Sequence, residues 1–173
     1  MFKYTVLKET HKNGLTFAET ILFTEDEKEL IKKYPELKSY ISQIKEELRN
    51  SIEERKQKTK EEAADFPESM KLSWIYSPIS SRLIFDTPSP DEALVLEVEY
   101  YPIDIVLKEI ENKLNRKIEL IPNQKIYVKR QKDRLILQQY DPSRRDKKSL
   151  FNVKYNEEIE TLLQLLQEMW NSP

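Results

Sequence analysis

Two runs of alternating apolar and polar residues open the chain, and the residues between them identify the element they form. Phe2, Tyr4 and Val6 fall on one side of the first run and Lys3, Thr5 and Leu7 on the other, while Leu15, Phe17, Ile21 and Phe23 carry the second. Period-two alternation marks a half-buried strand, and Asn13-Gly14 between the runs is a two-residue turn signal, so an antiparallel hairpin is predicted. Thr24 is an expected N-cap, with Glu25, Asp26 and Glu27 in the first turn of a short helix, where carboxylates favour the helix dipole. Pro35 then suits the first turn of a longer helix.

In that helix Leu37, Tyr40, Ile41, Ile44, Leu48 and Ile52 recur at spacings of three and four, which makes one apolar stripe. The stripe fades into the charged run from Glu53 to Glu62, and residues 53–67 read as a helix overhanging solvent or a mobile connector. From Met70 the period returns to two. Leu72, Trp74 and Tyr76 predict one strand, Ile79, Ser81, Leu83 and Phe85 a second, and Leu94, Leu96, Val98 and Tyr100 a third, with residues 87–92 as a turn before the last. Ile103, Val106, Leu107, Ile110 and Leu114 predict an amphipathic helix over 103–114. Three short β runs follow at 117–121, 124–130 and 133–140, then a basic loop from Pro142 to Ser149. A closing helix begins near Asn156, with Ile159, Leu162, Leu163, Leu166 and Trp170 as its stripe.

The expected fold is α+β: antiparallel sheet elements (the N-terminal hairpin plus central and C-terminal strands) packed with about four helices. At 173 residues the length suits a single domain, 1–173. The expected core comprises Phe17, Ile21, Leu37, Ile44, Leu48, Trp74, Leu83, Leu96, Val98, Ile126, Leu135, Leu162 and Leu166.

Composition narrows the chemistry. The absence of cysteine removes disulfides, thiolate nucleophiles and Cys-based metal sites. Gly14 is the only glycine, so a P-loop, a dinucleotide fingerprint and a nucleophile elbow cannot be built in their usual forms. No stretch approaches the roughly 18 apolar residues of a membrane helix, and the N-terminus carries no apolar run of a secretory signal. Cytoplasmic residence and no membrane partner are the expectations. His11, the single imidazole, sits beside the hairpin turn and reads as a turn residue. No cofactor or metal is expected.

Charge is sorted into blocks. Residues 1–112 carry 16 Lys and Arg against 23 Asp and Glu, residues 113–154 carry 13 against 4, and residues 155–173 carry 4 acids and no base. The formal net charge of −2 therefore hides a basic β and loop region, 113–154, between two acidic blocks. Lys125, Lys129, Arg130, Lys132, Arg134, Arg144, Arg145, Lys147 and Lys148 lie close in sequence to Tyr127, which would share a strand face with Lys125 and Lys129. Cations that meet phosphates beside an aromatic face that stacks on bases make the composition of a polyanion-binding surface. The partner would be a nucleic acid or an acidic protein surface; otherwise these cations would pair with the chain's own acids.

One acidic layout deserves the same weighing. Asp86 or Asp91 before a strand bearing Glu97 and Glu99 resembles the acid, then acid-x-Lys, arrangement of PD-(D/E)xK metal-dependent nucleases, in which paired carboxylates hold Mg²⁺. Here Glu99 stands where the lysine would be, and the gap from Asp91 to Glu97 is short. The sequence thus points to a non-enzymatic binding, accessory or inhibitor-type protein, with a degenerate nuclease as the alternative.

Overall fold

The computed structural model describes residues 1–172. It is α+β, with a four-stranded and a three-stranded antiparallel sheet and five α-helices among the described residues. Contacts gather in two compact units: Met1–Glu54 with Pro78–Tyr101, and Arg55–Ser77 with the chain from Pro102 onward.

In the first unit, β1 (Phe2–Lys12) and β2 (Leu15–Thr24) form the expected hairpin. Asn13 and Gly14 both have positive φ, 54° and 75°, as a tight two-residue turn between right-twisted strands requires. A side chain at Gly14 would meet open space, so the glycine serves the backbone conformation alone. β3 (Ile79–Ser89) and β4 (Glu92–Tyr100) complete the sheet in the order β2-β1-β4-β3. Tyr4, Val6, Leu96, Val98 and Tyr100 are buried on one face. Burial pushes the Tyr4 hydroxyl up to about 12.

α1 (Glu27–Lys33) follows the hairpin, and a 3₁₀ turn at Pro35–Leu37 leads into α2 (Lys38–Glu62). The stripe Leu37, Ile41, Ile44, Leu48 and Ile52 is buried, and Lys45 and Arg49 lie over the Phe2 ring at 5.1 and 5.0 Å. Asp26, not Thr24, caps α1 by accepting from the Lys28 amide; Thr24 acts one step earlier, accepting from the Asp26 amide and donating to Glu29.

In the second unit, α3 (Glu68–Ile75), α4 (Ile103–Leu114) and α5 (Glu157–Asn171) accompany a sheet of β5 (Ile126–Gln131), β6 (Arg134–Asp141) and β7 (Asp146–Lys154) in that order. α5 packs on α3, α4 and β5, burying Ile159, Leu162, Leu163, Leu166 and Met169. Lys113 of α4 donates to Glu158 of α5 at 2.8 Å, and that bond holds the ammonium above its usual range.

Several sequence expectations are corrected. Residues 70–75 are helical and Tyr76 is the C-cap: Pro67 precedes the turn, Glu68 opens it, and Leu72, Ile75 and Tyr76 satisfy helical spacing while the alternation of Met70, Leu72 and Trp74 does not set the fold. Trp74 is consequently 44% exposed rather than core. Phe17 is exposed and Ile21 half-buried because β2 is an edge strand, and Leu83 on edge strand β3 is also only half-buried. Residues 53–62 are regular helix. The basic loop shrinks to residues 142–145, since β7 begins at Asp146.

Residues 117–121 form no strand, and their polar backbone is served by side chains instead. The Ile118 amide donates to Glu111, and Gln139 accepts from the Ile121 amide while donating to the carbonyls of Ile121 and Gln124. Gln139 is fully buried on β6 and spends its whole amide on this segment, which leads directly into β5. Removing it strands a buried amide and leaves a void, so Gln139→Ala is expected to cost about 2–4 kcal/mol in urea unfolding. A loss under about 1 kcal/mol would show that water replaces the clamp without penalty.

Candidate functional site

The β5–β6–β7 sheet has two unlike faces, and alternation together with register assigns each residue to one of them. Ile126, Leu135, Leu137, Gln139 and Phe151 are buried on the side of α5. The opposite face carries Tyr127, Lys129 and Gln131 from β5, Arg134, Ile136, Gln138 and Tyr140 from β6, and Lys147, Ser149, Asn152 and Lys154 from β7. Lys125 continues the β5 alternation one residue ahead of the strand. This outer face bears five cations and no carboxylate. Strand alternation places the nearby acids Asp141 and Asp146, which pair with each other, on the α5 side of the sheet at its end.

Of the ten predicted site residues, Lys125, Tyr127, Lys129, Arg134 and Lys147 are brought together on this face. Arg130 and Lys148 fall on the α5 side, where Arg130 lies 3.8 Å over the Tyr155 ring. Lys132 occupies the β5–β6 turn and Arg144 and Arg145 the β6–β7 turn, at opposite ends of β6. The structure adds Lys154 and Tyr140, which the register of β7 and β6 would have supplied once their strand limits were known.

Local contacts shape the face. Lys147 sits 4.2 Å over the Tyr127 ring, reaching across β6 from β7 to β5. Arg134 donates to the Asn152 side chain and carbonyl at 2.8 Å each. Tyr127 and Tyr140 are 37% and 39% exposed. Among the described residues, none of Lys125, Lys129, Lys132, Arg134, Arg144, Arg145, Lys147 and Lys148 has a carboxylate at ion-pair distance; the ion pairs fall elsewhere, as at Lys8–Glu92, Arg82–Glu9 and Lys113–Glu158. At longer range Lys148 and Arg144 favour the ionised Asp141 carboxylate, but these cations form no ion pair with the chain's own acids among the described residues. They are held out to solvent.

The two turns carry backbone strain. Lys132 and Arg145 have φ of 56° and 52°, in the left-handed region that side chains disfavour. The β6–β7 turn is built by Asp141, whose carboxylate accepts from the Ser143 amide at 3.0 Å and hydroxyl at 2.7 Å. The Ser143 hydroxyl holds the Asp141 carboxyl below its usual range, helped by Lys148 and Arg144. Asp141 therefore stays ionised, and the turn keeps its brace, down through mildly acidic pH.

The edge of β5 is fixed by residues that sequence reasoning missed. The outward amides of Ile126 and Val128 donate to the side chains of Asn171 and Gln167, Asn171 returns a bond to the Ile126 carbonyl, and the Trp170 indole donates to the Gln124 carbonyl. These polar positions flank the apolar stripe of α5 and repeat at helical spacing, which is the signal that could have found them.

The acidic layout does not assemble. Glu97 lies opposite Arg82, Glu99 accepts from the Tyr101 hydroxyl at 2.7 Å, and Asp86 lies opposite Leu94. The four residue steps of β3 from Arg82 to Asp86 span about 13 Å. Among the described residues no three His, Asp or Glu gather as a metal site requires. His11 meets Thr16 at 3.0 Å and Glu9 at 3.8 Å, in keeping with its place beside the hairpin turn. No helix among the described residues is long and apolar enough to cross a membrane. Comparisons with protein-family models, with curated proteins and with solved structures return no match.

A glycine would relieve the strain at either turn, so the strained cations provide a test of what those positions serve. Lys132→Gly and Arg145→Gly are each expected to leave stability unchanged or raise it by up to about 1 kcal/mol in thermal or urea unfolding, relief of the left-handed backbone outweighing the flexibility gained by the unfolded chain. A clear destabilisation would show that the side chains, not the backbone, hold the turns.

Proposed function

We propose that this protein is a binding module whose outer β5–β6–β7 face docks a polyanion, and that the polyanion is a single-stranded nucleic acid. The observation that carries the reading is the sorting of charge on one open sheet face: Lys125, Lys129, Arg134, Lys147 and Lys154 with no carboxylate among them and no ion pair to the rest of the chain. Cations left unpaired and clustered retain their attraction for phosphate, and each phosphate they neutralise releases counterions. Tyr127 and Tyr140 supply ring faces on which bases stack without sequence preference. Lys147, over the Tyr127 ring, marks where a base and its phosphate would be met together. The acids of α5, Glu157, Glu158 and Glu160, lie on the helix that covers the sheet's other face, so like charge turns the same partner away from that side.

The test is a fluorescence-polarisation titration against short single-stranded and duplex oligonucleotides at two salt concentrations. Five phosphate contacts on a single strand give a slope of log K against log salt near −3.5, so doubling the salt lowers affinity about tenfold. Reversing Lys125, Lys129 and Lys147 to Glu together is expected to abolish binding at moderate salt, while reversing Arg130 and Lys148, on the α5 side, weakens it far less. Failure of wild-type protein to bind any oligonucleotide at low salt would overturn the nucleic-acid reading and leave an acidic protein surface as the partner. Equal losses in the two reversal variants would overturn the choice of face.

A further inference from the structure

The four edge strands of the two sheets are not alike. β3 carries Arg82, Asp86 and Pro88 and two register shifts. β5 has its outward amides taken by Asn171 and Gln167 of α5. β7 carries Lys147, Lys148 and Lys154. Charges, proline, irregular register and covering side chains are the devices by which sheets stop another strand from adding to a free edge. β2 uses almost none of them. Its sequence, Leu-Thr-Phe-Ala-Glu-Thr-Ile-Leu-Phe-Thr, contains one ionisable residue, Glu19, and neither lysine, arginine nor proline. Residues 15–20 are all exposed, with Leu15 at 60% and Phe17 at 59%. The one irregularity, a register shift between Val6 and Leu7 that leaves Ile21 unpaired, limits the clean edge to residues 15–20.

The hairpin fixes which backbone groups face outward. Lys12 and Leu15 close a two-residue turn, which makes them a hydrogen-bonded pair, and the pairing alternates from there. Leu15, Phe17 and Glu19 therefore bond to β1, while Thr16, Ala18 and Thr20 turn their N–H and C=O groups away from the sheet. The His11 amide, which points to the other side of β1 and donates to the Asp91 carbonyl at 2.7 Å, agrees with this phase.

We propose that the β2 edge is a homodimer interface, at which β2 of a second copy adds antiparallel with Ala18 on the two-fold axis. In that register Thr16 faces Thr20 of the second copy, Ala18 faces its own equivalent, and the outward groups exchange about six N–H···O bonds. The second copy is the occupant that this edge fits by charge and shape. Glu19, the only charge, lies opposite Phe17 of the second copy rather than opposite its own equivalent, so like charges are not directly opposed across the strands. The two Phe17 rings become diagonal neighbours on one face, within reach of each other, and Thr16–Thr20 is a favourable cross-strand pair. An isologous two-fold contact closes on itself and removes both open edges, giving one eight-stranded sheet instead of a growing fibre.

The chain has no cysteine of its own, which makes the register directly testable. Light scattering on wild-type protein is expected to return twice the monomer mass. Ala18→Cys is expected to cross-link to its equivalent under mild oxidation, because a directly opposed antiparallel pair lies within disulfide reach, whereas Thr16→Cys, some four residues from its own equivalent, is not. Ala18→Pro removes an outward N–H without touching the β1–β2 ladder and is expected to give a monomer. The double change Thr16→Lys with Thr20→Lys is expected to do the same with the backbone intact. A wild-type protein that stays monomeric across the accessible concentration range overturns the proposal. So does a dimer that survives both edge variants, or one in which Thr16→Cys cross-links as readily as Ala18→Cys.

Discussion

A three-stranded sheet has one face too many for its core, and the second unit depends on how α5 resolves that excess. The apolar stripe of α5, Ile159 to Met169, buries one side of the sheet, while Gln167 and Asn171 on the same helix take the amides along the β5 edge. A small sheet gains independent stability only when one face is covered, and a free edge beside that cover would leave its backbone groups unsatisfied or open to another strand. One helix meets both demands. The opposite face then needs no apolar residues, and Ile136 is the large aliphatic residue it holds between the strands. What remains there is free to be lysine, arginine and tyrosine.

The charge blocks of the sequence thereby acquire a geometry. Lysines on an antiparallel strand are ordinary solvent-facing residues when carboxylates sit opposite them, because cross-strand pairs then neutralise each other. The first unit follows that rule: Lys8 lies opposite Glu19 and Arg82 opposite Glu97, with Glu9 bonded to Arg82. The second unit breaks it. Lys147 faces Tyr140, Lys154 faces Arg134, and Lys129 faces Ile136. Like charges directly opposed, as in Arg134 and Lys154, lower stability.

Periodicity made much of this legible. The hairpin, its Asn13-Gly14 turn, the α2 stripe, the α4 and α5 helices and the inward residues of β4, β5 and β6 all follow from spacings of two or of three and four. The failures have specific causes. Met70, Leu72, Trp74 and Tyr76 mimic a strand because a short helix with two apolar sides shares its alternate positions with one. Residues 117–121 look like β but take their hydrogen bonds from side chains outside the segment, Glu111 on α4 and Gln139 on β6, rather than from a partner strand. The basic residues were found as a block, but the faces were not, because the block crosses two turns whose limits depend on the register of β6 with β7. On that account Arg130 and Lys148 fall on the α5 side of the sheet, and Lys154 lies on the outer face.

The central claim is positional: a polyanion meets the outer face of β5–β6–β7 and not the chain at large. Amide chemical shifts of the labelled protein, followed while a short single-stranded oligonucleotide is added at low salt, test it most directly. The account predicts the largest changes at Tyr127, Lys129, Gln138, Tyr140 and Lys147, with β1 to β4 unmoved. Changes concentrated in the first unit, or on the exposed side of α5, would contradict it.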